Sequence, residues 1–301
     1  MDHLIIDGFN LAYRSHYGHF TSQTSLGILS GCVYGFLVSL RSVKNKFPWC
    51  HVTVAWDTDS TRKRIVYAEY KAERTRPSGI SEQIQDLKTM FTLLNVSQVE
   101  YAGEEADDVI GSLVTRYLDG TNKIYIYTSD KDMLQLVKDG KVVVISPKTG
   151  KCYDEEAVKA EWGVSPGNLP KFLCLRGDKV DNVPGVPYLK SSVIAHLSEK
   201  YKDLQEIYTH LPEEQLTDFQ RQSLIAFQGQ SVVNQELINL RGDLELNIQT
   251  GTANPEAFAL CLNKYEIKSI KPDIYPNVFS ESSSFNRRQA PVVQSYSLFE
   301  E

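Results

Sequence analysis

The sequence has no paired cysteines: Cys32, Cys50, Cys152, Cys174 and Cys261 are odd in number, scattered and without a CxxC spacing. That argues against a disulfide framework and against a zinc site. A secretory leader is missing too, because Met1-Asp2-His3-Leu4-Ile5-Ile6-Asp7 is too short and acidic for an apolar targeting core. A reducing cytoplasm is the expected compartment, and nothing suggests a membrane. There is no surplus of positive charge; the formal net charge is −6, which taken alone argues against a polyanionic partner. With 42% apolar and 23% charged residues, the 301-residue chain can bury one large core and a smaller one beside it.

What is present is acid in clusters. Gly103-Glu104-Glu105-Ala106-Asp107-Asp108 packs four carboxylates into five consecutive positions, which repel one another unless something cationic is held between them. Ala106, Val109, Ile110, Leu113, Val114, Tyr117 and Leu118 recur at helical spacing, so the cluster is the first turn of an amphipathic helix, with Glu105 and Asp108 on one face. Favourable placement at a helix N-terminus explains one or two such acids but not four, since each gains only about 0.3–1 kcal/mol. Lys123 to Thr128 then reads as a strand, ending in Ser129-Asp130-Lys131-Asp132, a second acid pair where open α/β sheets place ligands.

Two earlier strands also deliver an aspartate. His3–Asp7 ends in Asp7, with Gly8-Phe9-Asn10 as the expected turn, and His51–Asp57 ends in Asp57. Between them Leu26 to Val43 reads as a core helix stopped by Phe47-Pro48. From Arg62 to Arg76 there are six cations (Arg62, Lys63, Arg64, Lys71, Arg74, Arg76) against Glu69 and Glu73, with Tyr67 and Tyr70 among them. Too poor in aliphatics for a core helix, residues 59–79 read as an arch or loop over the sheet edge, with its tyrosines suited to stacking on bases. Ile84–Leu94 is a further helix, Val96–Ala102 and Lys141–Ile145 further strands, and the alternation implies a mainly parallel α/β sheet.

Near Gly163 the texture turns helical up to about Leu240. Gly177-Asp178-Lys179-Val180-Asp181-Asn182 supplies a third acid pair, and Val183-Pro184-Gly185-Val186-Pro187 a tight connection into a helix from Ser191. The expected divisions are an α/β domain over 1–162, a helical subdomain over 163–250, an extension over 251–279 and a Ser-rich, polar tail over 280–301.

Taken together, IDGFNLAYR at Ile6–Arg14, AWDTD at Ala55–Asp59, EYKAER at Glu69–Arg74, GEEADD, TSDKD and GDKVDNVPG at Gly177–Gly185 resemble, in order, the motifs of the 5′ nuclease superfamily. Its members include flap endonucleases and the 5′→3′ exonuclease domain of bacterial DNA polymerase I, and the resemblance runs over roughly residues 3 to 245. It implies a mainly parallel α/β fold with a helical arch, and a helix-turn-helix element at about 172–200 that holds duplex DNA. It implies Mg²⁺- or Mn²⁺-dependent cleavage near DNA 5′ ends at flaps, nicks or free ends, with RNA/DNA hybrids as a second substrate, by a freestanding monomer. Two or three such ions would be held by Asp7, Asp57, Glu105, Asp107, Asp108, Asp130, Asp132, Asp178 and Asp181. Lys71 would be catalytic with Asp130 and Asp132, and Tyr70, Arg74, Arg76, Lys190 and Ser191 would contact DNA. The family's duplex loop carries a GIG-type turn and a K⁺ site, whereas this chain runs Gly185-Val186-Pro187-Tyr188-Leu189-Lys190, which speaks against K⁺ here. Gln294, Leu298 and Phe299 are similar to peptides that bind sliding clamps.

Three rival readings compete. Asp57-Thr58-Asp59-Ser60-Thr61 matches the DxDxT signature of haloacid-dehalogenase-type phosphatases, with Asp57 as nucleophile, but leaves GEEADD, TSDKD and the basic segment unexplained. A non-catalytic DNA-binding module would be expected to lack some of the acids. A PIN-type ribonuclease is usually far shorter and has no arch.

Overall fold

In the computed structural model, residues 1–118 and 122–272 are described. The expected clamp peptide at Gln294, Leu298 and Phe299 lies outside them. β1 (His3–Asp7), β2 (His51–Trp56), β3 (Ser97–Glu100), β4 (Ile124–Tyr127) and β5 (Val142–Ile145) pair in parallel, and β6 (Cys152–Tyr153) pairs antiparallel to β5. The sheet order is β3-β2-β1-β4-β5-β6. Strand order therefore reverses between β1 and β4, the place where sheets of this kind open a crevice at their carboxyl ends.

Alternation along the strands divides the core between the two faces. Leu4 and Ile6 of β1 pack with α1 (Gly8–Gly18), α2 (Gly31–Lys46), α4 (Ile80–Leu93) and α11 (Pro255–Lys264). Ile5 points the other way, into a core shared with α5 (Ala106–Tyr117) and with the helical region: α6 (Glu155–Trp162), α7 (Leu169–Arg176), α8 (Ser191–Lys200), α9 (Leu204–His210) and α10 (Asp218–Ile238).

Several local expectations are corrected. Gly8-Phe9-Asn10 is not a turn but the first turn of α1, because the Asp7 carboxylate caps it by accepting from the Asn10 amide at 3.0 Å. Gly8 also permits close packing there; a Cβ would lie 2.4 Å from the Trp56 ring. The helix expected from Leu26 begins only at Gly31, since residues 20–30 run through turns and a Gln23–Leu29 bridge. Within the arch segment 59–79 the only helix is the short α3 (Thr61–Val66), followed by turns. The edge strand β6, two residues long, gave no pattern that alternation could reveal.

Candidate active site

The acids arrive from four places. Asp7 ends β1, Asp57 follows β2, Glu105 and Asp107 open α5, and Asp130 follows β4; all five line one cavity of about 1000 Å³. Lys71, Arg74 and Arg76 of the arch segment line the same cavity, with Phe9, Asn10, Tyr13 and Arg14 of α1. A carboxylate floor thus faces a cationic wall, which fits an anionic substrate held over acids.

Each acid is fixed by its own local structure. Asp7 accepts from Thr128 Oγ1 at 2.7 Å as well as capping α1. Asp57 accepts from the Ala106 amide at 3.0 Å, which ties the end of β2 to the start of α5. Asp130 caps the 3₁₀ turn Lys131–Leu136 by accepting from the Asp132 amide at 2.9 Å. Glu105 accepts from Ser60 Oγ at 2.7 Å and Tyr70 Oη at 3.0 Å, and its oxygens pair with Lys71 at 2.6 Å and Lys63 at 3.0 Å.

Crowding sets the electrostatics. Burial, then Asp57, pushes Asp7 up to about 7. Burial raises Asp57, and burial followed by Asp130 raises Asp107 well above the carboxylate range. Burial and Asp130 push Asp132 up to about 7. Glu105 goes the other way: burial opposes its charge, but Lys63 and Lys71 outweigh burial and hold it well below the usual range. Burial likewise works against the Lys71 cation, and Asp107, Glu105 and Asp181 overcome it. Among the described residues no three acid, histidine or cysteine side chains stand as a ready-made ion cage; the acids instead share the protein's own cations.

The remaining expected residues lie outside the cavity lining. Asp132, Asp178 and Asp181 are joined to its rim by cations: Lys131 pairs with Asp178 and lies 3.6 Å from Asp132, while Asp181 pairs with Arg74 and lies 3.9 Å from Lys71 Nζ. The Lys71 amide also donates to the Asp181 carbonyl at 3.0 Å, tying the arch segment to the loop between α7 and α8. Lys190 and Ser191 are exposed at the start of α8, away from the cavity. Asp108 is fully buried, pairing with Arg62 at 2.8 Å and accepting from the Arg241 amide at 2.9 Å, so its oxygens are already engaged by protein groups. Tyr70 corrects the stacking expectation: it is 3% exposed, the ammonium groups of Lys63 and Lys71 both lie near its ring, and its hydroxyl donates to Glu105, so it has no open face to offer a base.

Two cations with structural work in the site were not singled out by the sequence. Arg241 pairs with Glu104 at 2.8 Å across 137 positions, and no local signal marks it. Lys63 was counted only as part of the basic segment, although it is buried among the acids.

Comparison with known proteins places this geometry. Residues 2–163 match the family described as 5′-3′ exonuclease, N-terminal resolvase-like domain, and residues 164–259 match 5′-3′ exonuclease, C-terminal SAM fold. The 5′-3′ exonuclease of Aquifex aeolicus is 32% identical over 246 residues, covering 81% of this chain and 83% of that one. DNA polymerase I of Caldicellulosiruptor bescii is 33% identical over 280 residues, covering 89% of this chain but 33% of the polymerase. Among solved structures, T5 5′-exonuclease with bound divalent metal ions (zinc) superposes with a TM-score of 0.67 at 18% identity, covering 93% of this chain and 98% of that one. That likeness shows the fold.

Proposed function

The chain belongs to the 5′-3′ exonuclease family, and we propose that it is a divalent-metal-dependent nuclease that hydrolyses phosphodiester bonds near DNA 5′ ends, at flaps and nicks as well as free ends. The observation that carries the reading is the convergence of Asp7, Asp57, Glu105, Asp107 and Asp130 on one cavity opposite Lys71, Arg74 and Arg76. A phosphatase using Asp57 as nucleophile would leave Asp7, Glu105, Asp107 and Asp130 of the cavity without a role; here Asp57 is one of several carboxylates that crowd the same space.

The residues fit a hard divalent cation. The donors are all oxygen, which suits Mg²⁺ or Mn²⁺, and burial and repulsion raise Asp7, Asp57 and Asp107, a strain that a cation would relieve. Asp7, Asp57, Glu105, Asp107 and Asp130 would hold it, with Asp132, Asp178 and Asp181 acting at the rim. When bound, such ions supply an activated water and countercharge for the phosphate oxygens. The protein's own contribution is positioning. Lys71 carries a cation to the phosphate, where negative charge gathers in the transition state. Arg74 and Arg76 orient the adjacent phosphates, and Lys190 and Ser191 at the start of α8 would meet the duplex backbone.

The test is incubation of 5′-labelled flap, nicked and single-stranded substrates with Mg²⁺ or with chelator. Cleavage near the 5′ end that needs the metal is expected, and product length separates exonuclease from flap cleavage. Equal cleavage in chelator would overturn the metal-dependent reading.

A further inference from the structure

Behind the two acids that open α5 stands a cation that does not itself line the cavity. Lys63, on α3, is 3% exposed, and its Nζ lies 3.0 Å from Glu105 Oε2, 3.7 Å from Asp108 Oδ2 and 4.0 Å from Asp107 Oδ2. Lys71 takes the other oxygen of Glu105 from the cavity side at 2.6 Å. Their ammonium groups lie 5.7 Å and 4.9 Å from the centre of the Tyr70 ring.

The two lysines differ in what they can do. Lys71 lines the cavity, so rotation about its flexible stem can exchange Glu105 for an incoming phosphate. Lys63 has no such freedom. An enclosed ammonium is tolerated only when opposite charge surrounds it, and three carboxylates do so here. Next to it Arg62 spans Glu104 and Asp108, both at 2.8 Å, so the short helix carrying Lys63 is pinned to the acidic turn.

We propose that Lys63 is a positioning residue: a fixed countercharge that aims Glu105 and Asp107 at the cavity and, from behind, weakens the cavity's hold on a divalent cation. This rests on the metal-dependent reading above. A lysine near a cation site opposes the ion by Coulomb repulsion while keeping the carboxylates from splaying apart. Removing it therefore tightens ion binding and lowers turnover together. A lysine with a merely structural role would not produce that split, because loss of structure weakens both.

The experiment is calorimetric titration of Mn²⁺ into the full chain without DNA, for the wild type, Lys63→Met and Lys63→Arg, alongside steady-state cleavage of a flap substrate. Lys63→Met is expected to bind Mn²⁺ about tenfold more tightly, with kcat down about tenfold or more and KM for DNA little changed. Lys63→Arg, which keeps the charge, should stay within about twofold of wild type in Mn²⁺ affinity. Unchanged or weaker Mn²⁺ binding by Lys63→Met, or unchanged kcat, overturns the assignment. Should Lys63→Met fail to fold, Lys63→Gln replaces it under the same criteria, and equal tightening by Lys63→Arg overturns the assignment in either case. A wild-type chain that takes up no Mn²⁺ and cleaves in chelator is a different result: it defeats the metal reading itself.

Discussion

Asp7 ends one of two adjacent parallel strands and Asp130 follows the other, and what separates them from ordinary turn formers is the company they keep in the cavity. Asp130→Ala should lower single-turnover cleavage by about 10²–10³-fold while DNA binding, followed by fluorescence anisotropy in chelator, changes little; near-normal cleavage would remove Asp130 from the site. Tyr70 offers a sharper contrast, because its buried ring and its bond to Glu105 leave it no role in base stacking. Tyr70→Phe should cost about 1 kcal/mol in urea unfolding and leave DNA affinity unchanged. The pH dependence follows from the raised acids. Burial with Asp57 raises Asp7, and burial with Asp130 raises Asp132, each from 3.8 to about 7. The folded chain then holds more protons than the unfolded one between about pH 4 and 7, so the stability these two groups contribute is full below that window and lost as pH rises through it. Glu105 and Asp178 are lowered and contribute with the opposite sign, losing stability on acidification. In chelator, Asp7→Asn should flatten the fall in Tm from about pH 5 to 7, read by calorimetry; an unchanged slope would show that Asp7 is ionised throughout.

At the scale of elements, the short helix that opens the arch segment is held by a charge network, while Tyr67 and Tyr70 further along pack on the core. Arg62 of α3 and Arg241 beyond α10 share Glu104, and both bind Asp108, Arg241 through its backbone amide. Arg241→Ala leaves Glu104 with one partner fewer, and because Arg241 is partly exposed the cost should be about 1–2 kcal/mol in urea unfolding, with a matching drop in cleavage as α3 loosens. A variant as stable and as active as the parent would show that Arg62 alone suffices. This network also marks the limit of what the sequence made legible. Strands with β-branched runs, the acidic turn of α5 and the aspartates at strand ends were readable because their signals are local. The capping of α1 by Asp7 was hidden because glycine after aspartate reads equally as a turn, and the bond from the Asn10 amide to the Asp7 carboxylate is visible only in the structure. The pairing of Asp108 with a residue 133 positions away is a product of topology. So is the burial of Tyr70, whose hydroxyl reaches Glu105, 35 positions along the chain.

Over the whole molecule, the face of the sheet that carries Ile5, Ile124, Ile126 and Val144 is not covered by α5 alone. The same core continues through Leu169, Phe172, Leu173 and Leu175 of α7, Leu197 of α8 and Leu224 and Leu237 of α10. The chain then returns: Gln98 and Gln249 exchange amide hydrogen bonds of 2.8 Å at the β3 edge, which blunts an otherwise open strand. Gly111 of α5 lets that returning segment pass, since a Cβ there would lie 2.3 Å from the Arg241 carbonyl. Gly111→Ala must push the segment off α5 and should cost about 1–3 kcal/mol. The acids and the loop bearing Asp178 and Asp181 thus meet because the α/β and helical parts are built on common side chains, and they should not melt separately. Residues 1–272 are expected to unfold in one calorimetric transition, whereas residues 1–162 alone, with the α7-facing surface bare, should aggregate on size exclusion. Two resolved transitions, or a soluble and monomeric 1–162 fragment, would mean that the helical region is an appendage and that the site is assembled by docking rather than by folding.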